Sequence, residues 1–172
     1  MANWSTAYNW MMDNEDSARA YAVVSDVGGF AISGINSKSF CGEFAAIAAL
    51  PQNERAAAVE RFYGSHFWNI WYDQLTSDEV AKRVFDMAVN AGERRAVRLL
   101  QESINSWGGF EDGVLKEDGK LGKDTVELTN ACNADGLVAE FSNNRCNYYR
   151  SLAAANPADE QYLAGWMARA NR

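Results

Sequence analysis

The stretch from Thr76 to Gly109, TSDEVAKRVFDMAVNAGERRAVRLLQESINSWGG, restricts the fold more than any other part of the chain. Val80, Val84, Phe85 and Ala88 recur at three- and four-residue steps, the spacing that places side chains on one face of an α-helix. Thr76 and Glu79 stand at capping-box spacing ahead of them, and Gly92 follows Asn90-Ala91 as a stop. The pattern then resumes over 93–107 with Ala96, Leu99, Leu100 and Ile104 inward, and Gly108-Gly109 ends it. Two such helices joined at a glycine call for a mainly α fold.

The rest of the chain agrees. Trp4, Tyr8 and Met11 or Met12 lie on one face of a helix over about 3–14, with Glu15 at its end. Further helices are expected over about 43–50, from beside Pro51 with Ala58, Phe62 and Tyr63 inward, from near Asp124, over most of 136–155 and over about 159–171. Only 20–40 lacks helical periodicity. There Tyr21-Ala22-Val23-Val24 and Phe30-Ala31-Ile32 flank Gly28 and Gly29, which predicts a small β-ribbon. The segment FEDGVLKEDGKLGKD reads as loop with two Asp-Gly turns, and its acids do not match calcium-loop spacing. No repeat, linker or low-complexity tract divides the chain, so 1–172 is expected to form a single domain.

Composition excludes several functions. The chain has 172 residues, nearly half of them hydrophobic, enough for one compact core. Its apolar runs are too short to span a membrane, and its N-terminus lacks the features of a secretory signal, so synthesis in the cytoplasm is expected. Cys41, Cys132 and Cys146 are widely spaced and without CxxC, and His66 is the sole histidine, so neither a disulfide, a metal nor another cofactor is expected. A net charge of −7 argues against nucleic acid and gives no attraction to an anionic membrane.

The segment DVGGFAISGI, residues 26–35, brings chemistry into view. An acid leaving a helix just before a glycine-turned ribbon suits a cleft carboxylate. Glycoside hydrolysis needs a carboxylic acid to protonate the leaving oxygen and a second group to position water or stabilise the oxocarbenium-like state. Glu15 and Asp26 are the candidates, although taken alone, as two acids among 23, they read as solvated surface carboxylates. Asp16, beside Glu15, reads either as a like-charge neighbour or as a solvated cap.

The segments FYGSHFWNIW, VFDMAVNAGERRAVRLLQ, DGKLGKDT, NNRCNYYRSLA and YLAGWMAR, in this order, resemble glycoside hydrolase family 108, N-acetylmuramidases of phage-endolysin and secretion-activator type. Phe85 to Gly92, F-D-x-A-V-N-x-G, carries the resemblance most strongly. It implies a lysozyme-like helical fold with a catalytic half at 1–92 and a helical half at 93–172 similar to a peptidoglycan-binding region. It further implies cleavage of the bond between N-acetylmuramic acid and N-acetylglucosamine in the peptidoglycan glycan strand by a monomer, after release through a holin or a secretion system. The family's acid is often written E-G-G-Y, and VGGF would put Val27 in its place. The family's downstream D-x-G-G-x-x-x-x-G-I instead fits Asp26, Gly28, Gly29, Gly34 and Ile35 without a gap, and makes Glu15 the general acid. Glu15 is followed by Asp16-Ser17 in place of Gly-Gly, and the family's downstream Thr is replaced near Ala31, so the water-positioning role is open between Asp26 and Ser33. Gly29 and Asn90 complete the expected substrate-facing set, with a helix-terminus hydrogen bond the equal alternative for Asn90. The alternative is a glycan-binding or structural component that has lost activity.

The remaining aromatics read as packing. Phe67, Trp68, Trp71 and Tyr72 form a cluster that reads as core ahead of a sugar-stacking face, with Trp68 assigned to the core; His66 reads as a surface or hydrogen-bonded residue, and Tyr148, Tyr149 and Trp166 as contacts between the last two helices, with Arg150 a candidate for a buried ion pair.

Overall fold

A computed structural model describes residues 1–26, 29–109 and 115–172. Eight helices stand among the described residues: α1 (Trp4–Glu15), α2 (Cys41–Ala48), α3 (Arg55–Phe67), α4 (Asp78–Ala91), α5 (Glu93–Trp107), α6 (Lys123–Ala131), α7 (Ala134–Ala155) and α8 (Glu160–Ala170). Between α1 and α2 lies a sheet of β1 (Val23–Asp26), β2 (Gly29–Ile32) and β3 (Ile35–Asn36), antiparallel and in that order. The ribbon expected over 20–40 thus carries a third strand, with Val23 opposite Ile32 and Ile32 opposite Ile35. Ala31, Ile32 and Ile35 face the core, while Val23, Val24 and Phe30 remain exposed.

α4 is the central helix. α1, α5 and α7 all pack against it, and Val84, Phe85, Asp86, Met87 and Ala88 are all fully buried, so this part of the helix is enclosed on every side. Ser77, one residue after the expected Thr76, is the N-cap, its hydroxyl accepting from the Val80 amide. Thr76 instead donates to Asn130 on α6, and Glu79 pairs with Lys82 and Arg83. Gly92 ends α4 and opens α5 with φ +88°, a conformation that glycine adopts without the Cβ penalty.

α1 starts and ends against α4. The Asn3 amide donates to Asp78 at 2.6 Å, and Asn14 Nδ2 donates to Asp86 at 2.9 Å. Between these anchors Met11 and Met12 are fully buried, each burial contributing about 1.5–3 kcal/mol. Trp4 meets Phe85 and Trp68 edge-on, and Trp68 stacks on Tyr72 at 4.8 Å, so the tryptophan-rich segment after α3 packs as expected. His66 lies stacked on Phe62 and hydrogen-bonded to its carbonyl.

α7 and α8 close the structure over α4 and α5. Tyr149 stacks on Trp166 at 5.4 Å across the pair. The buried ion-pair partner on α7 is Arg145, not Arg150. Arg145 stands one helical turn before the buried Tyr149 and shares its inward face, whereas Arg150 is rotated outward and exposed. One continuous cluster of buried side chains extends from Ala7 to Ala170.

Candidate active site

Glu15 occupies the last position of α1, and its side chain is 16% exposed. The helix therefore fixes its backbone while the carboxylate reaches solvent. Gly34, at the turn between β2 and β3, abuts that carboxylate. A Cβ built on Gly34 would lie 2.5 Å from Glu15 Oε2 and 2.7 Å from the Tyr63 hydroxyl. Gly34 also has φ +84°, so both the backbone and the space demand glycine.

The other carboxylate oxygen is held by a cation from the far end of the chain. Arg169 Nη2 on α8 donates to Glu15 Oε1 at 2.7 Å and to Asp86 Oδ1 at 2.7 Å. Arg169 Nε adds two further contacts to the Asp86 carboxylate, at 3.1 and 3.0 Å. Asp86 is fully buried and also accepts from Arg145 Nη2 at 2.8 Å, with Arg145 fully buried too. Two carboxylates and two guanidinium groups thus form a compensated quartet. Such compensation is required, because each buried charge left alone is strongly destabilising. Arg172 clasps the same end of α1, donating to Asn14 at 2.6 Å and lying 4.9 Å from the Trp10 ring.

On its other side the site is bounded by a tightly bonded loop and the sheet. Asp16 caps α1 through its amide and turns its carboxylate onto the Ala20 amide at 2.9 Å, the Tyr21 amide at 2.8 Å and the Ser33 hydroxyl at 2.7 Å. Partial burial raises the pKa of this carboxyl, but the bonds from Ser33, Ala20 and Tyr21, with the charge of Arg19, outweigh it and leave the pKa below its ordinary value. Arg19, Tyr21 and Ser33 all have left-handed φ, from 46° to 52°, at a cost of about 1–2 kcal/mol each. The Asp16 bonds gather these strained residues into one wall and offset that cost. The Tyr63 hydroxyl completes the wall by donating to the Ser33 carbonyl at 2.6 Å. Burial, reinforced by the charge of Glu15, keeps the Tyr63 phenol protonated and hence a donor.

The sequence candidates fall at different distances from this centre. Glu15 is central. Asp26 ends β1, its backbone paired with Gly29, and its side chain and all of Gly28 lie outside the described residues. Gly29 borders Ser37, 2.9 Å from a Cβ built there, and so stands at the outer end of the hairpin. Ser33 is 4% exposed with its hydroxyl given to Asp16, which makes it part of the wall behind Glu15. Asn90 is exposed at the end of α4 and accepts from the Tyr149 hydroxyl at 2.7 Å. Asp86, Arg145, Arg169 and Tyr63 carried no functional reading from sequence. Asp86 left one signal there, an acid inside the apolar run VFDMAV.

Among the described residues no group of His, Cys, Asp or Glu side chains is placed to hold a metal ion, and no helix is long and apolar enough to cross a membrane. The site centres on a glutamate at a helix end, gripped through one oxygen and backed by the Gly34 turn. Such a group is suited to moving a proton to or from an oxygen brought against it.

Comparison with known proteins gives two family matches along the chain. Residues 15–92 match the family described as Glycosyl hydrolase 108, and residues 95–171 match the one described as Predicted Peptidoglycan domain. The structure of SagA from Brucella abortus is similar over 97% of this chain and 92% of that one, at 19% identity and a TM-score of 0.63, a likeness of fold. No curated protein matches the chain.

Proposed function

Since the chain carries a glycosyl hydrolase 108 domain followed by a peptidoglycan domain, we propose that it hydrolyses peptidoglycan between N-acetylmuramic acid and N-acetylglucosamine, with Glu15 as the general acid. The observation that carries this reading is the setting of Glu15. It begins the glycosyl hydrolase match, ends a helix, touches solvent and faces the glycine turn of the sheet. Its carboxyl group protonates the departing glycosidic oxygen, which relieves the charge developing there as the bond breaks. Arg169 steadies Oε1, and Oε2 is the oxygen on the ribbon side. Asp26, whose backbone pairs with Gly29, is the candidate for the second role, positioning the water. Ser33 supports the wall through Asp16, and Asn90 and Gly29 belong to the outer reaches of the glycan path. The protein acts on the wall after release or export from the cytoplasm.

A second reading, a glycan-binding component without hydrolysis, draws support from the ion pair that holds Glu15 and from Asp16-Ser17 in place of two glycines. Clearing of a suspension of purified sacculi by wild type and by Glu15→Gln separates the two. The hydrolase reading expects wild-type clearing with new muramic-acid reducing ends, and a loss of about 10²–10⁴-fold in the variant. Equal clearing by both proteins removes Glu15 from its role. Retention on sacculi without new reducing ends favours the second reading.

A further inference from the structure

The two matched segments meet at the acid itself. Glu15 lies in the segment matching the hydrolase family, whereas Arg169 lies in the segment matching the peptidoglycan domain. We infer that Arg169 is a positioning residue for hydrolysis, so that α8 sets the geometry of the acid in addition to any part it plays in holding the wall. This inference rests on Glu15 being the general acid.

The geometry gives Arg169 this role for three reasons. First, Glu15 is the last residue of α1, so no following helical turn packs against its side chain and its orientation has to come from outside the helix. Second, Arg169 is itself fixed, because its Nε and Nη2 both bond the fully buried Asp86, which Arg145 and Asn14 hold from other directions. A planar guanidinium anchored on one carboxylate presents its remaining reach to Glu15 along a set direction. Third, Arg172 binds the Asn14 and Asp13 side chains, so α8 and the residues after it grip the last turn of α1 as well as its terminal glutamate. Proton transfer in a glycosidase depends on placing one carboxyl oxygen against the leaving oxygen, and a displacement of about 1 Å is enough to lower turnover roughly 10²-fold.

Lysine at position 169 separates positioning from folding. Its ammonium supplies the charge that buried Asp86 needs, but it lacks the Nε that locks the guanidinium plane onto Asp86 while Nη2 bridges Asp86 and Glu15, so the direction presented to Glu15 is no longer set. The experiment compares the full-length wild type with Arg169→Lys, Arg169→Ala and Glu15→Gln on soluble, uncross-linked glycan strands, which reduces the contribution of wall anchoring. kcat and KM are measured at matched folded fraction, and retention on insoluble sacculi is measured separately. For Arg169→Lys the expected result is a kcat lower by roughly tenfold with KM, sacculus retention and melting temperature close to wild type, and for Arg169→Ala a fall nearer 10²-fold. A wild-type kcat in Arg169→Lys, which keeps the charge and the fold, overturns the inference, as does a loss confined to KM or to retention. Failure of the underlying reading shows itself elsewhere, as full activity in Glu15→Gln.

Discussion

Arg169 and Glu15, 154 residues apart in sequence, share a 2.7 Å ion pair in which the arginine side chain is 12% exposed and the glutamate side chain 16%. At this depth the attraction is screened less than at an open surface, and it acts on a side chain that would otherwise sample several rotamers. Ordering a glutamate side chain costs up to about 2 kcal/mol. The pair offsets that cost in the folded protein, before any substrate arrives. The acid is therefore set by the closing of the chain upon itself, since α1 supplies the carboxylate and α8 its orientation.

The quartet behind the acid governs stability. Asp86→Asn leaves two buried guanidinium groups facing one partly exposed carboxylate. The expected destabilisation is about 3–5 kcal/mol, or a melting temperature lower by roughly 6–20 °C. Glu79→Gln is the control, because Glu79 pairs with Lys82 and Arg83 while 53% exposed, and its loss should stay within about 1 kcal/mol. Thermal unfolding of the two variants side by side measures the contrast. Similar melting temperatures would show that the buried quartet adds no more than a surface pair.

These relationships differ in how far the sequence reveals them. The helices of 76–109 are legible because apolar spacing reports a local period, and Gly92 marks their boundary in the same local code. Ser77 replaces Thr76 as the cap because both are competent and only the position of α6, with Asn130, decides which hydroxyl is free. Arg145 and Arg150 are equally cationic in sequence, and the phase of α7 relative to Tyr149 selects between them. The quartet is harder to foresee. Each of its four charges reads singly as a surface residue, and their separation in sequence hides the pairing. Asp86 is the exception, because a run apolar on every helical face marks a central helix, and an acid within it must find cations.

Asp16 predicts a response to acid. Its pKa in the folded protein lies below the ordinary aspartate value of 3.8. The stabilisation is therefore fully present above that value and is lost as pH falls through the lower, folded-state value. The amide protons of Ala20 and Tyr21, which both donate to this carboxylate, should report the same titration in an NMR series run from pH 6 downward. Their shifts are expected to move together with a midpoint under 3.8, and to become flat in Asp16→Asn. A midpoint at or above the ordinary value would mean that the three donors do not favour the charged form.

The junction of Asn90 with Tyr149 distinguishes a packing bond from a substrate contact. Asn90 accepts from the Tyr149 hydroxyl, which also lies 3.3 Å from Met87 Sδ. Tyr149→Phe removes this bond and leaves Asn90 intact, with an expected loss of about 0.5–1.5 kcal/mol in stability and an unchanged KM. Asn90→Ala removes the bond together with the exposed amide. If Asn90 meets the glycan, KM on soluble strands rises only in Asn90→Ala. Equal KM values in the two variants would confine Asn90 to packing.

The glycines of the ribbon give the sharpest test of where the cleft lies. Gly29 and Gly34 both have φ in the region that favours glycine, +120° and +84°, so alanine strains the backbone at either site. Their surroundings differ. At Gly29 the new methyl meets Ser37 Oγ at 2.9 Å, the end of a side chain that is able to turn away, whereas at Gly34 it meets Glu15 Oε2 and the Tyr63 hydroxyl. Gly29→Ala should therefore lose stability and keep its turnover per folded molecule. Gly34→Ala should displace the acid itself, lowering kcat by about 10²-fold even after correction for folded fraction. The two kcat values, measured on soluble glycan strands with the folded fraction read from circular dichroism, decide the matter. Full turnover in Gly34→Ala would show that Glu15 does not act from the position it holds beside this turn, and a selective loss in Gly29→Ala would move the catalytic centre from Glu15 towards the hairpin end.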